Sequence, residues 1–339
     1  MPSPGFRTQR RNLLRLGLGA AAVAAAPLSG LTSAAATRRA GHRTLARNLH
    51  FPEGPVALGD GSLLIVEIAK QALTRVDADG QVERLAQLPG GPNGAAIGPD
   101  GACYVCNNGG DRFAQVDGVL LPVGPAGDYT GGWIERVDLR SGQAETLYES
   151  VGGRRLSAPN DLVFDSSGGF WFTDMGKAGD RSRDHGGVYY ARADGSAITE
   201  VVYPLQSPNG IGLSADGRTL FVAEFFSGRV IGFEVTGPGE LADSAGILPG
   251  RLIAAGPGRP VFDSMAIEAD GNICVADPIA GQIVCIAPGG EIVEVVPVPA
   301  SLPTNLCFGG PDLRTAYITL SGNGQLIAMD WPRAGLRLR

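Results

Sequence analysis

Six oxygen-bearing side chains recur along the chain at one fixed distance before a turn. Each stands seven residues upstream of the centre of a turn, and the six are Glu53, Asn93, Asn160, Asn209, Asp263 and Asn305. Asx and Glx residues form about a fifth of an average sequence, so six matches by chance have a probability of order one in ten thousand. The competing explanation is that Asn and Asp suit turns. Glu53 is a poor turn residue, and proline already supplies the turn before four of the six positions. We therefore favour the interpretation that the six side chains are ligands of a common site.

Carboxylate and carboxamide oxygens together indicate a site for a hard cation. Ca²⁺ takes about six to eight such oxygens in flexible geometry. No His or Cys belongs to the six, so zinc or copper would be poorly matched by ligand softness. The sequence therefore predicts a divalent metal ion, with Ca²⁺ first and Mg²⁺, Mn²⁺ or Zn²⁺ as alternatives.

The turns that set this distance also organise the chain. They fall at residues 59–61, 99–101, 166–168, 215–217, 269–271 and 311–313, and apolar, β-rich runs flank each one. Six such units with four short antiparallel strands each predict an all-β fold, a six-bladed β-propeller. The first strand of each blade lines the central channel, so the six polar residues would face the channel. A longer second unit indicates an insertion at about 107–132, and 43–48 is expected to close the ring against the last blade.

The composition agrees with many tight turns. The 339 residues include 51 Gly and 24 Pro, and only 18% are charged, which excludes a helical bundle or coiled coil. No basic cluster is present, so nucleic acid is not an expected partner.

The N-terminus reads as an export signal. Arg10 and Arg11 precede an apolar run at 16–26, and small residues at 34–36 offer a cleavage site. This pattern predicts a twin-arginine-type signal peptide over 1–36, one propeller domain over 37–339, passage through the twin-arginine export machinery and a periplasmic or secreted protein. The apolar run is too short for a stable membrane anchor. The alternative is a disordered basic arm. Removal of the signal changes the net charge from −6 to −10, because four arginines and no acid are lost.

The five cysteines do not form a recognisable metal motif. Cys103 and Cys106 have CxxC spacing but neither a second pair nor a His cluster. Cys274 and Cys285 flank a short turn and could pair across a hairpin, although buried free thiols are the favoured interpretation.

Several segments around the polar ring resemble a known family. Residues 51–55, 159–165, 207–211 and 262–267 are similar to the SMP-30/gluconolactonase/luciferin-regenerating family. Residues 168–174, with 186–190, look most like the drug-responsive, calcium-dependent lactonases within it, and 304–310 match the usual final blade. The resemblance covers nearly all of residues 45–331.

This resemblance implies a metal-dependent lactonase. The implied ligands are Glu53, Asn209 and Asp263, with Asn160 as a fourth ligand or a substrate contact. Asn93 and Asn305 would lie on the ring and face the substrate. Water would attack a lactone or similar ester carbonyl polarised by the metal, with Asp263 as the first candidate for general base and Asp161 as the second. Alternatively, Asp263 is purely a ligand and Asp161 only orients its neighbours.

Strand order predicts which loops surround the channel mouth. The loops between second and third strands return to the metal face, at 107–133, 175–186, 224–228, 277–281 and 321–324. His185 is the only histidine on these loops, where it would contact substrate or remain an exposed loop residue. The insertion is a candidate lid or secondary cation site.

Two other function classes stay open. One is a non-catalytic propeller that binds a ligand and uses the cation structurally; the other is a phosphoesterase or sugar isomerase with the same metal site. No Gly-x-Ser-x-Gly motif is present, so a serine hydrolase is not expected. The small-molecule substrate itself is not identified by the sequence.

Overall fold

Short apolar runs bounded by Gly-containing turns fold into antiparallel sheets. The computed structural model describes residues 36–38, 41–179, 181–242, 249–256, 258, 260–300 and 302–337, all within one unit. Six sheets, each containing a four-stranded meander, follow one another along the chain as blades 1 to 6, and two of them carry a fifth short strand. The predicted six-bladed β-propeller is confirmed.

Each blade has four strands, from an innermost one at the channel to an outermost one at the rim. In the order of blades 1 to 6, the innermost strands are Pro52–Ala57, Pro92–Ile97, Pro159–Phe164, Pro208–Leu213, Met265–Ile267 and Pro303–Gly309. The second strands are Leu63–Glu67, Cys103–Asn107, Gly169–Asp174, Thr219–Glu224, Ile273–Asp277 and Thr315–Leu320. The third strands are Ala72–Val76, Trp133–Val137, Gly186–Arg192, Arg229–Gly237, Gln282–Ile286 and Gln325–Asp330. The outermost strands are Val82–Gln87, Ala144–Tyr148, Ile198–Leu205, Arg251–Ala255, Ile292–Pro297 and His42–Ala46.

An N-terminal strand closes the ring, as the sequence predicts for residues 43–48. His42–Ala46 pairs antiparallel with Gln325–Asp330 and completes blade 6. Blade 6 therefore combines an N-terminal strand with three C-terminal strands, which closes the ring of blades. Further upstream, Ala36–Thr37 adds a short parallel strand to the outer edge of blade 5.

The insertion of blade 2 forms a hairpin at the channel mouth. Its strands are Asp111–Val116 and Val119–Pro125. The Phe113 ring lies 5.2 Å from that of Phe51 before blade 1, and a Cβ on Gly322 in blade 6 would lie 2.5 Å from a Val119 methyl group. The hairpin therefore reaches over the two blades that precede it in the ring.

The structure also contains several short elements between the blade strands. They are the 3₁₀ turns Ile68–Lys70 and Ser321–Asn323, the hairpin of Ser150–Val151 with Arg154–Arg155, and the short strand Glu240–Leu241.

The core fills the space between blades. Side chains such as Trp171, Phe172, Phe233 and Phe262 are almost fully buried between adjacent sheets. All five cysteines are free, and four of them are buried, as favoured from the sequence.

The described residues do not test the predictions made for the N-terminal run at 16–26. No helix within the described parts of the chain is long and apolar enough to cross a membrane. The proposed signal peptide falls almost entirely outside the described residues, so export stays a prediction.

Candidate metal centre in the channel

A proline corner and a bulge aim each ring side chain. In blades 1 to 4 the innermost strand begins with proline, and the ring residue follows it directly. The pairing register shifts just after this point, for example between Glu53 and Val56 and between Pro159 and Leu162. Such bulges re-aim a side chain locally, which explains how residues at strand starts come to face the channel. In blade 5 the innermost strand Met265–Ile267 begins only after Asp263.

Glycine lets neighbouring corners approach one another. A Cβ on Gly94 would lie 2.4 Å from the Asn160 carbonyl oxygen and 2.6 Å from the Cα of Asp161. A Cβ on Gly210 would lie 2.7 Å from the Cα of Ser264 in the same way. A side chain at either position would clash with the backbone of the next blade. Glycine directly after the ring residue therefore permits the close approach of neighbouring blades at the channel.

The structure buries five of the six ring residues, and side chains of the neighbouring blades contact Asn209. Glu53, Asn160, Asn209, Asp263 and Asn305 are each at most 8% exposed, as is Asp161. Asn93 is half-buried at the corner of blade 2. Ser264 Oγ donates to Asn209 Oδ1 at 3.2 Å, and Thr173 Oγ1 donates to the Asn209 carbonyl oxygen at 2.5 Å. The side chains of three blades are thus linked at one level of the channel.

Three buried carboxyl groups share this site without a described basic side chain to balance them. Burial raises the pKa of Glu53 from its ordinary 4.5 to about 7, although hydrogen bonds with Thr304 and Gly54 lower it in part. Burial, with repulsion from Glu53, raises the pKa of Asp161 from 3.8 to about 7. Burial and repulsion from Glu53 also raise the pKa of Asp263 well above its usual range. None of the three forms an ion pair with a described Lys, Arg or His.

One amide oxygen in the ring has no hydrogen-bond partner among the described residues. Asn160 Oδ1 is buried and unpaired, while its Nδ2 points to Met175 Sδ at 3.9 Å. A buried acceptor left unpaired is costly, and native structures rarely keep one without a reason. An oxygen ligand for a cation is such a reason. Together with the uncompensated carboxyl groups, this atom shows that the residues present fit a hard divalent ion.

A second candidate cluster does not fit a metal. Among the described His, Cys, Asp and Glu side chains, the ligand atoms of Glu268, Cys274 and Cys285 lie within 4.8 Å of one another. Glu268 already accepts hydrogen bonds from Trp331 Nε1 and Asn272 Nδ2 and is paired with Arg333. The Cys274 thiol donates towards Glu268 Oε1 at 3.3 Å and lies 3.5 Å from Cys285 Sγ, so the cluster is satisfied within the protein.

A cavity extends from the ring along the channel. Its volume is about 960 Å³, and Asp161 and Asn305 line it where it meets the ring. From there it runs along the innermost strands to the turn at 165–168, at the opposite end of the channel from the mouth loops.

His185 lies at the rim of the mouth, away from the buried ring. It is exposed, and its ring is 6.4 Å from that of Tyr203. It precedes Gly186, where a Cβ would lie 2.3 Å from Pro208 Cδ at the corner of blade 4. A substrate bound at the ring would therefore contact His185 only if it extended to the edge of the channel mouth.

Four further polar residues were missed by the sequence analysis. They end the second strands of blades 1 to 4, and they are Glu67, Asn107, Asp174 and Glu224. All four are almost fully buried, and we call them the corner acceptors. A regular spacing in the sequence could have identified them, because they stand fourteen residues after the ring residue in blades 1 to 3 and fifteen after it in blade 4.

The raised pKa values predict how pH acts on metal binding. Folding of the metal-free protein takes up protons at Glu53 and Asp161, so its stability falls as pH rises from their ordinary values through about 7. Metal binding requires the ionised carboxylates and strengthens over that range. We expect saturating calcium to raise Tm more at about pH 8 than at about pH 5.5. A calcium-induced shift that is equal at both pH values would contradict this.

Most of the chain matches one family of known proteins. The family model described as SMP-30/Gluconolactonase/LRE-like region matches residues 51–322. A gluconolactonase of Zymomonas mobilis is 24% identical over 310 residues, which cover 82% of this chain and 78% of that protein. Lactonase drp35 of Staphylococcus saprophyticus is 28% identical over 243 residues, covering 70% of this chain and 67% of that protein.

A solved structure shows the same fold. The calcium-binding protein regucalcin from Agrobacterium tumefaciens superposes with a TM-score of 0.69 at 18% identity, covering 90% of this chain and 99% of that chain.

Proposed function

Because the chain belongs to the SMP-30/gluconolactonase/LRE-like family, we propose that it hydrolyses lactones or similar esters with a divalent cation held in the channel. The observation that carries the proposal is the buried set of three uncompensated carboxyl groups beside the unpaired Asn160 Oδ1. A structural plug would need charge balance alone, whereas this ring also carries the amide groups of Asn93 and Asn305 beside the proposed ligands.

Glu53, Asn160, Asn209 and Asp263 would hold the cation. All four offer an oxygen, and their mixed carboxylate and amide character suits Ca²⁺ best. A divalent cation bound there supplies positive charge that polarises a carbonyl and stabilises the oxyanion that develops on it. Ser264, which donates to Asn209 Oδ1, fixes the orientation of one ligand.

A carboxylate would take the proton from the attacking water. Asp263 is the first candidate, because it lies in the ring and burial, with repulsion from Glu53 and Asp161, raises its pKa. Asp161 is the second, but it accepts a hydrogen bond from the Leu162 N–H and lines the cavity on the side away from the mouth. That position favours an orienting role for Asp161.

The remaining ring amides would orient the substrate. Asn93 and Asn305 stand on the ring beside the proposed ligands. Preorganised amide groups of this kind place the carbonyl for attack without a conformational cost.

The test is an assay of the metal-free protein on aldonolactones, aromatic lactones and phosphotriesters with added Ca²⁺, Zn²⁺ or Mn²⁺. We expect hydrolysis of at least one lactone that disappears after chelation and returns with calcium. Activity on phosphotriesters alone would favour the phosphoesterase alternative, and cation binding without any turnover would favour a non-catalytic propeller.

A further inference from the structure

The corner acceptors lie directly opposite the prolines that precede the ring residues. In the pairing register, Glu67 faces Pro52, Asn107 faces Pro92, Asp174 faces Pro159 and Glu224 faces Pro208. Proline has no N–H, so the first rung of each sheet lacks a donor. A side-chain oxygen opposite the proline can instead accept a hydrogen bond from a backbone N–H that precedes the proline.

Each corner acceptor uses that oxygen to bind the backbone just before its proline. Glu67 accepts from the His50 N–H at 2.9 Å, Asn107 from Gly91 at 2.7 Å and Glu224 from Gln206 at 2.8 Å. These contacts tie the end of the second strand to the corner that presents the ring side chain, in four successive blades.

Asp174 makes the most complete contact of this kind. Its two oxygens accept from the N–H groups of Ser157 and Ala158, both at 2.7 Å, and one of them also accepts from Gly176 at 2.9 Å. Asp174 is 2% exposed. Pro159 and Asn160 follow this corner immediately, and Asn160 carries the unpaired Oδ1.

We propose that the corner acceptors, Asp174 foremost, are positioning residues that hold the proline corners in the geometry the metal centre requires. The inference rests on the proposed function, since it assumes that the ring binds a cation. Groups that orient metal ligands without touching the metal affect metal affinity about 10- to 100-fold when replaced.

Blade 2 provides a matched control. Asn107 binds its corner as the other acceptors do, but that corner presents Asn93, which is outside the proposed ligand set. Loss of Asn107 should therefore lower stability without a comparable effect on cation binding. A purely structural role would instead make affinity follow stability in every blade.

The experiment measures calcium affinity by calorimetry and Tm of the metal-free protein in three variants. Asp174→Asn removes one acceptor and sets an amide N–H against a backbone N–H, and we expect affinity to fall by at least about tenfold. Asn107→Ala should lower Tm while its affinity stays within about threefold of the wild type. Asp174→Glu should largely retain affinity, because Glu occupies this position in blades 1 and 4.

The outcomes separate the two proposals. Wild-type affinity in Asp174→Asn, or equal losses of affinity in Asp174→Asn and Asn107→Ala, would overturn the positioning role alone. A wild-type protein that binds no divalent cation would overturn the proposed function as well. If Asp174→Asn does not fold, Glu67→Gln makes the same test at the corner that presents Glu53.

Discussion

Replacement of Asp263 by Asn is expected to lower kcat/KM for lactone hydrolysis by about a thousandfold. The substitution keeps the shape of the side chain but removes one ring carboxylate and the first candidate for the general base. The cation that would stabilise the developing oxyanion loses a ligand, and the proton of the attacking water loses its acceptor. Steady-state kinetics at saturating calcium measure the effect, and calorimetry on the same sample shows how much of it comes from weaker metal binding.

Asp270→Asn is the matched control for this prediction. Asp270 lies in the exposed turn of the same blade, seven residues further along the chain, so its substitution should leave hydrolysis unchanged. A folded Asp263→Asn variant with activity within tenfold of the wild type would exclude Asp263 from both roles.

The second large effect is expected from Glu53→Gln, which should abolish calcium binding and hydrolysis but stabilise the metal-free protein. Calcium binding and hydrolysis should be lost, because the only glutamate of the ring is replaced. The metal-free variant should nevertheless be more stable than the metal-free wild type, by roughly 1–3 kcal/mol at about pH 8. The reason is that burial disfavours the Glu53 carboxylate, and its charge also raises the pKa values of Asp161 and Asp263.

Denaturant unfolding of the metal-free proteins measures this gain. Glu83→Gln, at an exposed position on the outermost strand of blade 1, is the control and should change stability little. A metal-free Glu53→Gln protein that is less stable than the wild type would show that Glu53 serves mainly in packing.

The ring was accessible to sequence reasoning because it follows from local rules. Turn type, strand length and channel position are all set within one blade, so a fixed spacing before the turn was enough to find Glu53 and its five equivalents. Blade closure was also foreseen, with the strand at His42–Ala46 against the expected 43–48.

The corner acceptors were missed because their burial is not a local property. A polar residue at the end of an apolar run looks like an exposed strand end, and Asp174 has that appearance in the sequence. Only the packed structure shows that it is buried beneath two backbone N–H groups of the preceding corner. The same limit applies to the insertion, whose contact between Phe113 and Phe51 joins segments far apart in the chain.

In the proposed function, one cation site in the channel is also the site of hydrolysis. The most direct measurement is a calcium titration of the metal-free protein, followed in parallel by heat of binding and by the rate of lactone hydrolysis. We expect one calcium per chain and a half-maximal rate at the calorimetric Kd. Hydrolysis that persists without bound metal, or that saturates at a calcium concentration unrelated to the Kd, would contradict it.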